Sequence, residues 1–197
     1  MLFKLVKYSD MSQDQKNDFK EYCKEQSNSD DSASSNLWGN ESHHLTFILN
    51  HTSRFSSNNG EFYIAFCDNE IAACSGIYKS EFNSHVALAG TRTWTTKKFR
   101  NLKLSREYLL PNQKQWAIDR NFKQIAICFN DYNKNLTRTI FRSRLGEAPL
   151  LRTSKHLFYS NINEIPFPVN IQDTKQWVVY EKIDSNWEFD WSKIKCF

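Results

Sequence analysis

Apolar residues occur along this chain in short runs, some spaced as in strands and others as in helices. Residues 2–8 (LFKLVKY) alternate weakly and predict a first strand. Ser12 can cap a following helix, in which Phe19, Tyr22 and Cys23 occupy the i, i+3 and i+4 positions of one face. The chain is therefore expected to begin with a strand and an amphipathic helix.

A polar stretch separates this unit from the next apolar run. Residues 27–35 (SNSDDSASS) contain almost nothing that could be buried, so they predict a loop that could act as a lid or serve only as a tether. Residues 43–49 (HHLTFIL) then have the pattern of a short helix capped by Ser42.

Three strands are predicted in succession after residue 58. Phe62–Cys67 and Ile71–Tyr78 flank a tight turn at residues 68–70, a pattern that indicates a hairpin. Gly76 within the second strand predicts a bulge or a close approach of another backbone. Val86–Thr95 is the third strand.

The second half of the chain alternates helices with strands. Residues 101–121 have helical spacing, and Pro111 should kink or split that helix because proline removes one hydrogen bond of the ladder. Gln124–Phe129 is a continuous apolar run, typical of a strand buried on both faces. The remaining predicted elements are a helix over residues 133–145 ending at Gly146, and two strands at residues 150–159 and 176–183.

The boundary between strand and helix near residues 92–105 carries the strongest chemical signal. A helix start presents free backbone N–H groups and a partial positive charge, and a phosphate is the ligand that both favour. The same pattern also fits an ordinary strand-to-helix connection with a solvated basic rim. Four cationic side chains surround this boundary: Lys97, Lys98, Arg100 and Lys103.

Composition limits the class of protein. A chain of 197 residues, 40% hydrophobic and 24% charged, is expected to fold as one domain spanning residues 1–197. No apolar run approaches the roughly 20 residues of a membrane span, and the N-terminus lacks a secretory signal, so we expect a cytoplasmic protein without a membrane partner. The net charge of +4 does not require nucleic acid as a partner.

The cysteines and histidines do not indicate a metal or disulfide site. The five cysteines are odd in number and include no Cys-x-x-Cys pair, so they are expected to be buried as small hydrophobic residues. His43 and His44 are neighbours on different helical faces, and no carboxylate completes a ligand set with His51. No metal is therefore expected.

The predicted order is strand-helix-helix-strand-strand-strand-helix-strand-helix-strand-strand, and it resembles the acyl-CoA N-acyltransferase fold of the GNAT superfamily. Residues 100–105 (RNLKLS) are similar to the family's phosphate-binding signature Gln/Arg-x-x-Gly-x-Gly/Ala, with Arg100 in place, Lys103 at the first glycine and Ser105 at the last small position. Residues 133–146 (NKNLTRTIFRSRLG) are similar to the family's later helix, with an early Asn and a final Leu-Gly.

The resemblance implies an α/β fold of the α+β type, a mixed and mostly antiparallel seven-stranded sheet flanked by helices, with splayed parallel fourth and fifth strands. It also implies acetyl-CoA as the cosubstrate, with its pyrophosphate on the loop amides and its pantetheine arm along Val86–Thr95. The implied binding residues are Trp94, Thr95, Arg100, Asn101, Leu102, Lys103, Leu104 and Ser105, with Asn133 and Asn135 reaching the cofactor from the later helix. Because Lys103 replaces a glycine, the loop is expected to lie farther from the phosphates or to bind them more weakly.

Catalytic residues are harder to place by the same resemblance. Several family members have a Glu about ten residues before the loop and a Tyr four residues before the terminal Gly, and those positions hold Ala89 or Gly90 and Arg142 here. Acyl transfer to an amine needs a base for the ammonium and preferably an acid for the leaving thiolate. Tyr132 is the nearest phenol that could replace the missing Tyr. His85 or Glu81 could act as the base through a water molecule.

Two other functions stay open. The missing Glu and Tyr fit a GNAT-like module that has lost catalysis and only binds or supports a partner. The basic residues, which could instead bind nucleic acid or another polyanion, are Lys97, Lys98, Arg100, Lys103, Arg106, Arg138, Arg142 and Arg144. The aromatic tail, residues 184–197, could cover a sheet edge or form a homodimer contact.

Overall fold

The computed structural model describes residues 2–27, 58–80, 84–130, 152–154, 176–184 and 186. Several predicted features lie outside these residues: the polar loop beyond Ser27, the helices at residues 43–49 and 133–145, and the aromatic tail from residue 187 onward. Within the described part of the chain, no helix is both long and apolar enough to cross a membrane.

The described residues contain seven strands: β1 (Phe3–Lys7), β2 (Gly60–Cys67), β3 (Glu70–Lys79), β4 (Val86–Thr95), β5 (Gln124–Asn130), β6 (Arg152–Ser154) and β7 (Gln176–Lys182). They are hydrogen-bonded in the order β1-β2-β3-β4-β5-β7-β6. β4 and β5 run parallel, whereas β1–β2, β2–β3, β5–β7 and β6–β7 are antiparallel. The predicted mixed, mostly antiparallel sheet with parallel fourth and fifth strands is confirmed.

The predicted hairpin between β2 and β3 is confirmed, and its turn explains why the two strands pair. Asp68 and Asn69 both have left-handed backbones, with φ of 48° and 70°. Two successive residues with positive φ form the tight turn whose twist matches that of antiparallel strands, and Asp and Asn tolerate this conformation best after glycine. Cys67 and Glu70 are therefore paired directly across the turn.

Of the two alternatives predicted for Gly76, a bulge or a close approach of another backbone, the bulge is wrong. Gly76 lies opposite Phe62 in regular pairing, and the register shifts instead where Phe66 pairs with Ile71, which leaves Ala72 as the additional residue of β3. Packing explains the glycine at position 76: it has no side chain, so it leaves room for the fully buried ring of Phe62 on the neighbouring strand.

The first helix, α1 (Gln13–Ser27), begins where the sequence predicts. The Ser12 hydroxyl accepts a hydrogen bond from the Gln15 N–H at 3.3 Å, and the Gln15 side chain accepts one from the Ser12 N–H at 2.9 Å. This reciprocal pair satisfies N–H groups that have no partner within the helix. Phe19 and Cys23, four residues apart, are completely buried on its inner face.

The second helical segment changes its hydrogen-bond pattern next to Pro111, where the sequence predicts a kink or a split. A π-helical turn, Ser105–Leu109, runs directly into α2 (Leu110–Asp119), and the N–H of Leu110 donates to the Ser105 carbonyl. Proline in the first turn of α2 has no N–H to donate four residues back. The wider turn lets the chain continue as a helix despite that missing hydrogen bond.

The chain contains two compact units, residues 1–78 with 89–116 and residues 79–88 with 117–197. In the first unit, Phe62 of β2 packs on Phe19 of α1 at 5.7 Å between ring centres, while the hydroxyl of Tyr63 donates to the Asn112 carbonyl of α2 at 3.2 Å. Consecutive strand residues point to opposite faces, so α1 and α2 cover opposite faces of this part of the sheet. The single domain stays a prediction.

In the second unit, β5 lies between the start of β4 and β7. It pairs with the start of β4 over three parallel residue pairs, Val86–Leu88 with Gln124–Ala126, and with β7 over seven antiparallel pairs. Gln124, Ile125 and Ala126 are all buried, which agrees with the prediction that this strand is covered on both faces.

Three cysteines behave as the composition suggests. Cys23, Cys67 and Cys74 are buried free thiols. Burial raises the pKa of Cys74 to about 12, so its thiol is neutral at physiological pH. These side chains therefore serve as small hydrophobic residues of the core.

Candidate functional site

The candidate site is the segment that connects β4 to the second helical region, residues 96–104, called here the β4–α2 loop. Its first residue is held tightly. The Thr96 N–H donates to the Ala72 carbonyl at 2.9 Å, and its hydroxyl donates to the Ile71 carbonyl at 2.7 Å. The loop therefore leaves the sheet from a fixed point beside the bulge of β3.

A buried aromatic residue anchors the middle of the β4–α2 loop. Phe99 ends a single 3-10 turn, Lys97–Phe99, and is only 4% exposed. Its ring lies edge-on to that of Phe3 in β1, with 6.2 Å between the ring centres. Burial of this ring fixes the backbone on which the following residues are mounted.

The second half of the loop has an unusual backbone. Asn101 and Lys103 have positive φ, 70° and 56°, whereas Leu104 has right-handed helical angles. A left-handed residue followed by a right-handed one makes successive N–H groups converge on one point, a geometry that binds anions. The signature residues 100–105 therefore form a concave turn that leads directly into the helix.

The N–H groups of this turn are open. The Lys103 carbonyl accepts from the N–H groups of Arg106 and Glu107, at 3.0 and 2.9 Å, so Leu104 is the first helical residue. Among the residues that the structure describes, no acceptor takes the backbone N–H groups of residues 101–105. The helix dipole and these donors together favour an anion at this position.

The left-handed backbone explains how Lys103 can occupy the first glycine position of the signature. Only glycine adopts positive φ without a steric cost. The chain keeps the glycine-like conformation at Lys103 and accepts that cost, while its side chain is exposed.

Replacing Lys103 by glycine should leave the protein about 0.5–1 kcal/mol more stable than replacing it by alanine, because a left-handed backbone costs a residue with a Cβ about 1–2 kcal/mol and the freer unfolded glycine chain offsets part of this. Both variants remove the same charge, so each is the control for the other. Urea unfolding measures the difference. Equal stabilities would show that residue 103 is not left-handed in solution.

The cationic side chains around the loop differ in their contacts. Arg100 lies against the end of β4, where its Nε donates to the Thr95 carbonyl at 3.3 Å and its guanidinium lies 5.9 Å from the centre of the Trp94 ring. Lys98 forms an ion pair with Glu70. Lys103 is exposed, and no carboxylate of the described residues pairs with it.

Tyr22 of α1 supports the loop from the other side. Its hydroxyl lies 2.7 Å from the Thr96 hydroxyl, and because Thr96 donates to Ile71, Tyr22 donates to Thr96. Burial raises the pKa of Tyr22 well above its ordinary value, so the phenol is neutral at every physiological pH. A pocket of about 280 Å³ adjoins it, lined by Gln15, Asp18, Tyr22, Phe66, Asn69, Glu70, Ile71 and Thr96.

The strand that leads into the loop is bent. Gly90, in the middle of β4, has φ of 71° and donates its N–H to the side-chain oxygen of Gln113 at 2.9 Å. Neither the positive φ at Gly90 nor its contact with Gln113 was predicted from the sequence. A glycine within a strand pattern was the available signal for Gly90, but nothing local identifies Gln113, which lies 23 residues away.

The structure places the predicted binding residues in two groups. Trp94, Thr95 and Arg100 are in contact, and residues 101–105 follow directly. Asn133 and Asn135 lie outside the described residues, as do Glu81, Tyr132 and Arg142.

The catalytic candidate His85 is exposed in the turn before β4, where its carbonyl accepts from the N–H groups of Lys123 and Gln124. His85 precedes the first residue of β4, whereas the β4–α2 loop follows the last one. The catalytic roles of His85 and Tyr132 stay predictions.

The sequence matches no protein-family model and no curated protein. Solved structures are similar over most of the chain. A GNAT-family acetyltransferase from Staphylococcus aureus aligns with a TM-score of 0.56 at 12% identity, covering 93% of this chain and 100% of its own. Another from Streptococcus pneumoniae aligns with a TM-score of 0.53 at 13% identity, covering 91% and 100%.

A third similar structure is the acetyl transferase from Salmonella typhimurium that modifies the N-terminal serine of a ribosomal subunit protein. It aligns with a TM-score of 0.50 at 17% identity and covers 73% of each chain. At these identities the likeness concerns the fold. This chain has the fold of the GNAT acetyltransferases, as its order of elements predicts.

Proposed function

We propose that this chain is a divergent member of the GNAT superfamily that binds acetyl-CoA, or another acyl-CoA, and transfers the acyl group to an amine. The observation that carries the proposal is the backbone of the β4–α2 loop. Lys103 keeps a left-handed conformation at the glycine position of the signature, and the N–H groups of residues 101–105 are open among the described residues. A pyrophosphate is the anion that such a turn fits best.

Several groups of the loop would contact the phosphates. The N–H groups of residues 101–105 donate to phosphate oxygens, and Lys103 adds a cation at the exposed rim. Arg100 can turn from the Thr95 carbonyl to a phosphate without crossing the core, because it is exposed. The anchors at Thr96 and Phe99 keep this arrangement in place before the ligand arrives, which reduces the entropy lost on binding.

In the proposed reaction the amine nitrogen attacks the carbonyl carbon of the thioester. A C–N bond forms, the C–S bond breaks, and the thiolate leaves with the electron pair. The ammonium form of the acceptor, with a pKa of about 10, must lose one proton before attack. The nitrogen loses a second proton as the amide forms, and the leaving thiolate takes up one proton. His85 and Tyr132 are the proposed proton-transfer groups, and Asn133 and Asn135 are proposed cofactor contacts.

Tyr22, which is half-buried, has a different role from these candidates. Its hydroxyl forms a hydrogen bond with that of Thr96, and its raised pKa keeps the proton on the phenol. We therefore assign Tyr22 to holding the loop against α1.

The ion pairs of the basic residues do not favour binding of a long polyanion. Because Lys98 is paired with Glu70 and Arg106 lies 3.5 Å from Glu107, fewer cations are free for such a ligand than the sequence suggests.

Two measurements on the purified protein test the proposal. Acetyl-CoA at about 100 times its Kd should stabilise the protein by about 2.7 kcal/mol, seen as a rise in melting temperature. Release of CoA thiol should then be followed with a panel of small amines and peptides with free N-termini, since one protein of this fold modifies an N-terminal serine. Binding without release on any amine would favour the inactive binding module, and no binding at millimolar acetyl-CoA would contradict the proposal.

A further inference from the structure

Both polar groups of the Gly90 backbone contact side chains. Its N–H donates to the Gln113 Oε1 at 2.9 Å, and its carbonyl accepts from the Thr93 hydroxyl at 2.8 Å. The Ser75 hydroxyl lies 2.7 Å from that of Thr93 and donates to it, because Thr93 already donates to Gly90. A chain of side-chain hydrogen bonds thus fixes the one residue of β4 recorded with positive φ.

Gln113 holds the Gly90 N–H from within the core. Its side chain is completely buried, and its oxygen must face the N–H of Gly90, which fixes the orientation of the amide. Among the described residues, the other half of the amide, Nε2, has no hydrogen-bond partner. A buried donor without an acceptor is unfavourable, and Gln113 combines this cost with an oxygen that holds the Gly90 N–H.

We propose that Gln113 is a positioning residue for the acyl half of the cosubstrate, an inference that rests on the proposed function. By holding Gly90 left-handed, Gln113 sets the direction of the β4 backbone between Gly90 and Trp94. The pantetheine arm and thioester would lie against the peptide groups of this segment, whereas the nucleotide half binds the β4–α2 loop. Without the Gln113 oxygen, the Gly90 N–H must find another acceptor. The peptide groups between Gly90 and Trp94 would then point away from the pantetheine arm and the thioester.

Dissecting the ligand tests this inference. Calorimetry should compare CoA with its nucleotide half, adenosine 3′-phosphate 5′-diphosphate, on the full chain. Gln113→Met, which keeps the shape but removes the acceptor, is expected to weaken CoA binding about tenfold while nucleotide affinity changes less than twofold. Gln113→Glu, which keeps an oxygen towards Gly90, should restore CoA binding to within about threefold of the original protein.

Two further variants separate positioning from general stability. Gln124→Met removes another fully buried amide, whose oxygen and nitrogen have no hydrogen-bond partner in the described part of the chain, and it should alter neither affinity. Thr93→Val removes the second hold on Gly90 with little change of shape, and it should reproduce the selective loss of CoA binding even if Gln113→Met fails to fold.

The outcomes are distinct. Equal losses for CoA and the nucleotide in the folded Gln113→Met protein, or no loss for either, would overturn the positioning role and leave the proposed function intact. Failure of the unaltered protein to bind CoA would overturn the proposed function, and the positioning role with it.

Discussion

Replacing Arg100 by glutamate should weaken CoA binding about 100-fold, equivalent to about 2.7 kcal/mol. A hydrogen bond to a charged phosphate contributes about 1.5–3 kcal/mol, and the new carboxylate adds repulsion at the same position. The free energy of unfolding should change by less than about 1 kcal/mol, because Arg100 is exposed and contributes one carbonyl contact and its position over Trp94. Isothermal titration calorimetry measures the affinity.

Lys20→Glu is the matched control for this experiment. Lys20 is exposed on α1, and its replacement changes the net charge by the same amount. If both variants weaken binding equally, the effect comes from overall charge, and if Arg100→Glu binds CoA normally, the β4–α2 loop is not the phosphate site.

Replacing Phe62 by alanine should destabilise the protein by about 3–5 kcal/mol, the cost of removing a buried phenyl ring and leaving a cavity. Phe62 is completely inaccessible, contacts Phe19 of α1, and lies opposite Gly76, which has no side chain to fill the space. The loss is a large part of the roughly 5–15 kcal/mol that stabilises a typical domain.

Urea unfolding followed by circular dichroism measures this effect, with Leu2→Ala as the control. Leu2 is 85% exposed, so its truncation should change the stability by no more than about 0.5 kcal/mol. A loss below about 1 kcal/mol for Phe62→Ala would mean that α1 does not pack on β2 through this ring.

Elements set by local chemistry could be predicted from the sequence. Asp68 and Asn69 are residues that accept positive φ, so the hairpin between β2 and β3 follows from the turn alone. Ser12 and Gln15 fix the start of α1 through neighbours three residues apart. Pro111 has no N–H, and a π-helical turn precedes it in the helix.

Features that depend on distant residues could not be predicted in the same way. The bulge at Ala72 lies in a run of small residues, and nothing in the local sequence indicates it. The only sequence signal for a bulge in this strand was the glycine at position 76. Gly90 is held by Gln113 from another element, and the tether of Tyr22 to Thr96 spans 74 positions. Such contacts exist only once the sheet and helices have packed.

The candidate site shows the same division. The signature predicted the loop at residues 100–105, and Lys103 keeps there the left-handed backbone that favours glycine. The expectation that Lys103 weakens phosphate binding stays a prediction. The proton-transfer groups could not be derived, because a base is defined by its distance from the reacting atoms rather than by sequence spacing.

Hydrogen–deuterium exchange with and without CoA tests the central claim most directly, because it reports on the backbone N–H groups themselves. We expect CoA at about ten times its Kd to slow exchange at residues 101–105 about tenfold. At the same concentration Arg100→Glu, which binds about 100-fold more weakly, should show almost no protection of this segment. The account is contradicted if CoA binds by calorimetry while exchange at residues 101–105 is unaffected and the protection falls elsewhere.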